Sequence, residues 1–262
     1  MKKTLNEVYE EVRKQNAEKP VGVMIATPMY GGMCTGDYAL SLSRLVIMLK
    51  DLGYSYYVES LCNESLIPRG RNLLAKSFLE RPDMDYMIFI DADIGFREID
   101  VLRLLLADRD LCGGVYPKKR INWNTVRKAA LAGKERLQDY TGDFVFNLLN
   151  NDQDGSPDED GMLEVKQLGT GFMLIHKSVF EQLKPVASEY TEHRDDGSVF
   201  TAYDFFPAGV SGKKVYVSED YGFCDMWKSI GGKLYMNPFL KLTHTGSYVF
   251  SGDLQKMGTE QL

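Results

Sequence analysis

Three short strand-like runs, separated by two stretches with apolar residues at helical spacing, constrain the fold of this chain more than any other feature. Val21 to Thr27 is a continuous run that stops at Pro28 and Gly31-Gly32, as a strand buried on both faces does. Leu42, Leu45, Val46 and Leu49 then lie on one helical stripe that Gly53 ends. Tyr54 to Glu59 reads as the second strand, Asn72 to Leu79 as the next helix, and Tyr86 to Ile90 as the third strand. Such alternation implies an α/β fold with a mostly parallel sheet covered by helices. Ligands in these folds gather at the carboxyl ends of the strands. Thr27, Glu59 and Asp91 are expected at those ends, on one rim.

The flanks are shorter units. Thr4-Leu5-Asn6-Glu7 reads as a capping box, with Leu5, Val8, Tyr9 and Val12 on one face of an opening helix that Pro20 ends. Later, Leu111 to Tyr116 and Gly171 to Ile175 look like strands. A stripe of Phe223, Met226, Trp227 and Ile230 follows Ser218-Glu219-Asp220 and stops at Gly231-Gly232. Ser218 is its expected N-cap, with two carboxylates in the first turn where the helix dipole favours them. A strand from Lys233 to Met236 leads to Pro238 and His244. Between these units Asp152-Gln153-Asp154 invites a calcium-loop reading, but Pro157 stands where such a loop needs glycine, so a solvated loop is expected.

With 44% hydrophobic residues in 262, the chain has enough apolar side chains for one large core, and residues 1–262 read as a single domain. A net charge of −6 argues against gripping nucleic acid through the global field, although a local basic patch escapes that test. No run approaches the roughly 18 apolar residues that span a bilayer. No secretory pattern follows Met1-Lys2-Lys3, so a cytoplasmic location is expected. Cys34, Cys62, Cys112 and Cys224 lack ligand spacing and are expected as free thiols, mostly buried.

Chemistry concentrates at Asp91-Ala92-Asp93. Two carboxylates one residue apart after a buried strand reach the same region of space. A divalent ion such as Mn²⁺ or Mg²⁺ takes oxygen ligands there and bridges them to a diphosphate. Alone, the tripeptide is common and often merely caps a loop.

Its surroundings are more specific. Arg69-Gly70-Arg71-Asn72, then Asp85 to Asp93, then Ser218-Glu219-Asp220-Tyr221-Gly222-Phe223-Cys224, Gly231-Gly232-Lys233, Pro238 and His244 resemble, in order, the motifs of family-2-like glycosyltransferases of the compact bacterial, viral or phage type. The resemblance runs from Val21 to Gly246. It implies a GT-A fold, with an N-terminal helix over 1–20, a nucleotide-binding half over about 21–110 and an acceptor-binding half over about 111–250. It further implies a nucleotide-sugar donor (UDP-, dTDP- or GDP-linked) lined by Thr27, Pro28, Tyr30, Glu59, Arg69, Arg71, Asp91 and Ala92. The metal, Mn²⁺ or Mg²⁺, would be held by Asp91, Asp93 and His244. Asp220 would be the base of an inverting transfer, with Glu219 as its neighbour or substitute.

Gly169-Thr170-Gly171 reads as close packing beneath the acceptor site, and Lys118-Lys119-Arg120 as a solvated loop or a contact for phosphate. The acceptor, whether glycan, protein or modified nucleic-acid base, stays open. So do two other functions: a nucleotidyltransferase acting on a sugar phosphate, and an inactive nucleotide-sugar-binding module.

Overall fold

The computed structural model describes residues 4–144, 146–149, 156–193 and 196–259; Asp152 and Asp154 lie outside them. The first helix, α1 (Leu5–Glu18), starts on the capping box read from the sequence. Glu7 N–H donates to the Thr4 hydroxyl, and Thr4 N–H donates back to the Glu7 carboxylate. There follow β1 (Gly22–Met29), α2 (Gly36–Asp51), β2 (Ser55–Cys62), α3 (Ile67–Leu79), β3 (Tyr86–Ile90), the short β4 (Ile94–Gly95), α4 (Glu98–Leu106) and β5 (Leu111–Gly114). This is the expected alternation.

The second half is less regular. It comprises α5 (Trp123–Leu131), β6 (Phe146–Leu148), β7 (Leu163–Leu168), β8 (Phe172–His176) and α6 (Lys177–Leu183). Two hairpins follow, β9 (Ser188–His193) with β10 (Val199–Asp204) and β11 (Gly209–Val210) with β12 (Tyr216–Val217). The chain continues through α7 (Glu219–Ser229), β13 (Leu234–Asn237), β14 (Thr243–Thr245), β15 (Val249–Phe250) and α8 (Leu254–Thr259).

The central sheet has strand order β2-β1-β3-β8-β5-β13-β7-β6. β1, β2, β3, β5, β6 and β13 share one direction, and only β8 and β7 oppose it. The result is a Rossmann-like, mostly parallel sheet flanked by helices, with a mixed far half.

Alternating side chains build a core on each face. Val23 and Ile25 of β1, Ile88 and Ile90 of β3, and Leu174 of β8 pack towards α1, α2 and α4. Met24 and Ala26, Met87 and Phe89, and Met173 and Ile175 pack towards α3, α6 and α7. Both faces of β1 and β3 are therefore apolar, which is why these strands appear as unbroken apolar runs.

Several boundaries differ from the sequence reading. β1 runs on to Met29 and β2 to Cys62, in parallel register Ala26↔Glu59 and Thr27↔Ser60, so neither Thr27 nor Glu59 ends its strand. α3 begins at Ile67 because Pro68 fits its first turn, which places Arg69 and Arg71 inside the helix. Of the four free cysteines only Cys112 and Cys224 are buried; Cys34 and Cys62 are exposed. Burial pushes both inner thiols up to about 12. Among the described residues no helix is long and apolar enough to cross a membrane.

Candidate functional site

A tight turn follows β3. Asp91 N–H donates to the Gly171 carbonyl at 3.0 Å, and Ile94 N–H donates to the Asp91 carbonyl at 3.0 Å. β4 then pairs antiparallel with β14, setting His244 opposite Ile94, and Thr245 N–H donates to the Asp93 carbonyl at 2.8 Å. Strand register, not chance proximity, thus brings His244 to Asp93. Its Nε2 lies 3.4 Å from Asp93 Oδ1, while its Nδ1 lies 2.9 Å from the Pro117 carbonyl. A carbonyl only accepts, so Nδ1–H donates to Pro117, and Nε2 is turned to the carboxylate.

Lys119 Nζ occupies the other side of that carboxylate, 2.5 Å from Asp93 Oδ2. Burial opposes ionisation of Asp93, but His244 and Lys119 outweigh it and hold the carboxyl below its ordinary range.

Arg71 ties the two halves of the site together. Its guanidinium is buried, with Nη2 at 2.9 Å from Asp91 Oδ1 and Nε at 3.5 Å from Glu219 Oε1. It also lies 5.2 Å from the centre of the Phe89 ring. The next residue, Asn72, faces the other way along the chain. Its Oδ1 accepts from Phe205 N–H at 3.0 Å and Phe206 N–H at 3.1 Å, and its Nδ2 donates to Asp204 at 2.9 Å. Arg71-Asn72 therefore fixes the Asp91 turn, the start of α7 and the end of β10 from one helix.

Tyr116 fills the middle. Its hydroxyl accepts from Gly171 N–H at 3.1 Å, and its ring meets His244 edge to face at 5.4 Å. Burial and then the Asp91 charge push its ionisation far above the ordinary range, so it remains a neutral phenol. A Cβ on Gly171 would stand 2.8 Å from both Asp91 Oδ2 and the Tyr116 hydroxyl, and one on Gly169 would stand 2.4 Å from that hydroxyl. Gly169-Thr170-Gly171 is the floor on which Tyr116 and Asp91 sit.

Asp220 lies in the first turn of α7. Its Oδ1 accepts from the Ser218 hydroxyl and from Tyr221 N–H at 2.8 Å. Ser218 occupies the N-cap position, as read from the sequence, but makes no side-chain cap bond, because its hydroxyl is engaged by Asp220. Oδ2 of Asp220 has no hydrogen-bond partner among the described residues.

The donor set suits a hard or borderline divalent cation. Asp93 offers carboxylate oxygen, His244 offers Nε2 with its ring oriented by the Nδ1 contact to Pro117, and the Lys119 ammonium already places positive charge on Asp93. Among the described residues no cluster of three or more such side chains could by itself hold a metal.

No protein-family description matches the chain, and no curated protein matches it. Among solved structures it is similar to A197 from STIV, with 17% identity and a TM-score of 0.48 over 88% of this chain and 94% of that one. It is also similar to GalNAc-T7, solved with UDP, GalNAc and Mn²⁺, with 11% identity and a TM-score of 0.40 over 86% of this chain. In that case the chain spans 44% of the other's length.

The remaining residues singled out from the sequence fall at varying removes. Ala92 is in the turn itself, its carbonyl accepting Thr35 N–H at 2.9 Å and so tying the start of α2 to it. Pro28 is half-buried in β1, and Tyr30 projects from the turn beyond, 65% exposed. Thr27 is fully buried, with its hydroxyl 2.5 Å from that of Tyr38. Glu59 faces α3, where Ser77 donates to it at 2.6 Å and Arg81 lies at 3.6 Å. Arg69 is paired with Glu64 at 2.7 Å, on a different side of α3 from Arg71 because residues two apart do not share a helix face. Sequence reasoning does not single out Tyr116 or the orienting role of Asn72.

Proposed function

We propose that this chain is a metal-dependent glycosyltransferase that moves a sugar from a nucleotide-sugar donor to an acceptor hydroxyl with inversion. The observation that carries this reading is the meeting, on one rim, of Asp93 and His244 from the β4–β14 pairing with Asp91, Arg71, Glu219 and Asp220 around Tyr116. Asp93 and His244 would hold Mn²⁺ or Mg²⁺ together with donor phosphate, while Asp91 stays tied to Arg71. The metal's contribution when bound is to neutralise the diphosphate that leaves.

The chain's own residues then have separable tasks. Asp220 takes the acceptor proton on Oδ2 while Ser218 and Tyr221 fix its Oδ1. The acceptor oxygen bonds to the anomeric carbon as the bond from that carbon to the phosphate oxygen breaks, and the electron pair leaves with the nucleotide. Arg71 pairs with both Asp91 and Glu219 and holds them in place. Lys119 moves from Asp93 towards donor phosphate, where its charge serves the same end. The donor side is assigned to about residues 21–110 and the acceptor side to about 111–250, within one domain.

Incubation with UDP-, dTDP- and GDP-linked sugars tests the proposal. Mn²⁺-dependent thermal stabilisation with slow release of nucleoside diphosphate is expected for at least one donor. Pyrophosphate release from a nucleoside triphosphate and a sugar phosphate, without donor hydrolysis, would replace it with nucleotidyl transfer.

A further inference from the structure

The chain carries 31 Lys and Arg against 37 Asp and Glu, yet its charge is not evenly spread. Residues 117–136 contain Lys118, Lys119, Arg120, Arg127, Lys128, Lys134 and Arg136 with Glu135 as the sole acid. This basic segment starts at the candidate site. Pro117 holds His244 and Lys119 holds Asp93, after which the chain runs outward into α5.

α5 has an unusual surface for a helix. Ala129 is its one buried residue, whereas Trp123 is 69% and Leu131 79% exposed. Trp123 and Arg127 are four apart and share a face, with Asn124 and Lys128 alongside. Arg120 is neutralised by Asp143 and Lys119 by Asp93, but Lys118, Arg127 and Lys128 are exposed and have no acidic partner among the described residues. Exposing a tryptophan beside uncompensated cations is the arrangement that holds single-stranded nucleic acid, phosphates on the cations and a base on the ring. An acidic protein would satisfy the charges, but it presents a flat ring to the indole only where an aromatic side chain falls beside its acids, whereas every nucleotide pairs a phosphate with a ring.

We propose that residues 117–136 form a track for a single-stranded nucleic acid, with Lys118, Arg127 and Lys128 meeting phosphates and Trp123 stacking a base, so that the acceptor is a nucleic acid. The acceptor assignment rests on the glycosyltransferase reading; the track itself does not.

The test uses the whole chain and a fluorescein-labelled oligothymidylate at low salt. Anisotropy should report binding that weakens steeply as salt rises. Arg127→Ala with Lys128→Ala should flatten the slope of log affinity against log salt by about 1.4, from roughly 0.7 for each phosphate that the variant no longer neutralises. Trp227 is buried, so quenching of tryptophan emission on binding reports Trp123. Trp123→Ala should abolish that quenching and weaken binding at least about fivefold.

Absence of binding, an unchanged salt slope in the double variant, or equal competition by polyglutamate would each overturn the track. Mn²⁺-dependent donor hydrolysis, measured on the same proteins, separates the two readings. Hydrolysis without oligonucleotide binding removes the track alone. Binding and quenching without hydrolysis support the track while removing the glycosyltransferase.

Discussion

Arg71 is buried against Asp91, with its Nη2 2.9 Å from Oδ1 and 3.2 Å from Oδ2 of that carboxylate, and the same guanidinium reaches Glu219 at the start of α7. One side chain of α3 thereby sets the distance between the turn assigned to the donor and the helix that presents Asp220. Removing it leaves two partly buried carboxylates without their cation.

Arg71→Leu is therefore expected to destabilise the protein by about 3 kcal/mol, the lower end for breaking a buried pair because both carboxylates keep some solvent. Urea unfolding of the variant against the parent checks this. An unchanged midpoint would show that the pair is not a structural tie.

Gly171→Ala should cost about 1–3 kcal/mol, the range for overpacking, because its methyl group would meet Asp91 and the Tyr116 hydroxyl at once. Thermal unfolding gives the loss in stability, and donor hydrolysis should fall with it. Full activity would mean that Tyr116 and Asp91 do not need their present positions.

Asp253 supplies a pH-dependent contribution. Burial works against its charge, but Lys241 at 2.9 Å and Lys256 N–H at 3.2 Å prevail and lower its pKa in the folded chain. A carboxyl depressed on folding stabilises the fold above its unfolded pKa, about 3.9, and the benefit is lost as pH falls through the folded value. Asp253→Asn should lie below the parent in stability at neutral pH and converge with it in acid. A gap that persists at the lowest pH would assign the effect to something other than ionisation.

Asp220→Asn should keep metal-dependent nucleotide binding and lose transfer, since the amide can still accept from Tyr221 N–H but cannot take up the acceptor proton. Nucleotide protection and turnover, measured on one preparation, separate the two. Retained turnover would remove Asp220 as the base.

Legibility in the sequence follows physical causes. β1 and β3 are apolar on both faces, so each appears as an unbroken run and the alternation with α2 and α3 is clear. The apolar runs stop at Thr27 and Glu59, and that stop is what points to the rim for both. Strand pairing continues past them, and nothing in a single sequence says that Glu59 meets Ser77 and Arg81. Helix phase separates Arg71 from Arg69, and it becomes readable only once Pro68 sets the helix start.

The hairpins β9–β10 and β11–β12 are half-exposed and short, leaving little hydrophobic pattern. Tyr116 carries no local signal at all. Its place is legible only from its complement, the glycines at 169 and 171 that make room for it.

Metal-dependent donor binding at Asp93 is tested most directly by thermal stabilisation of the parent and of Asp93→Ala by a nucleoside diphosphate, each with and without Mn²⁺. The parent should be stabilised only when nucleotide and Mn²⁺ are both present, and Asp93→Ala should not be stabilised by the pair. Equal Mn²⁺-dependent stabilisation of the two proteins would contradict the assignment.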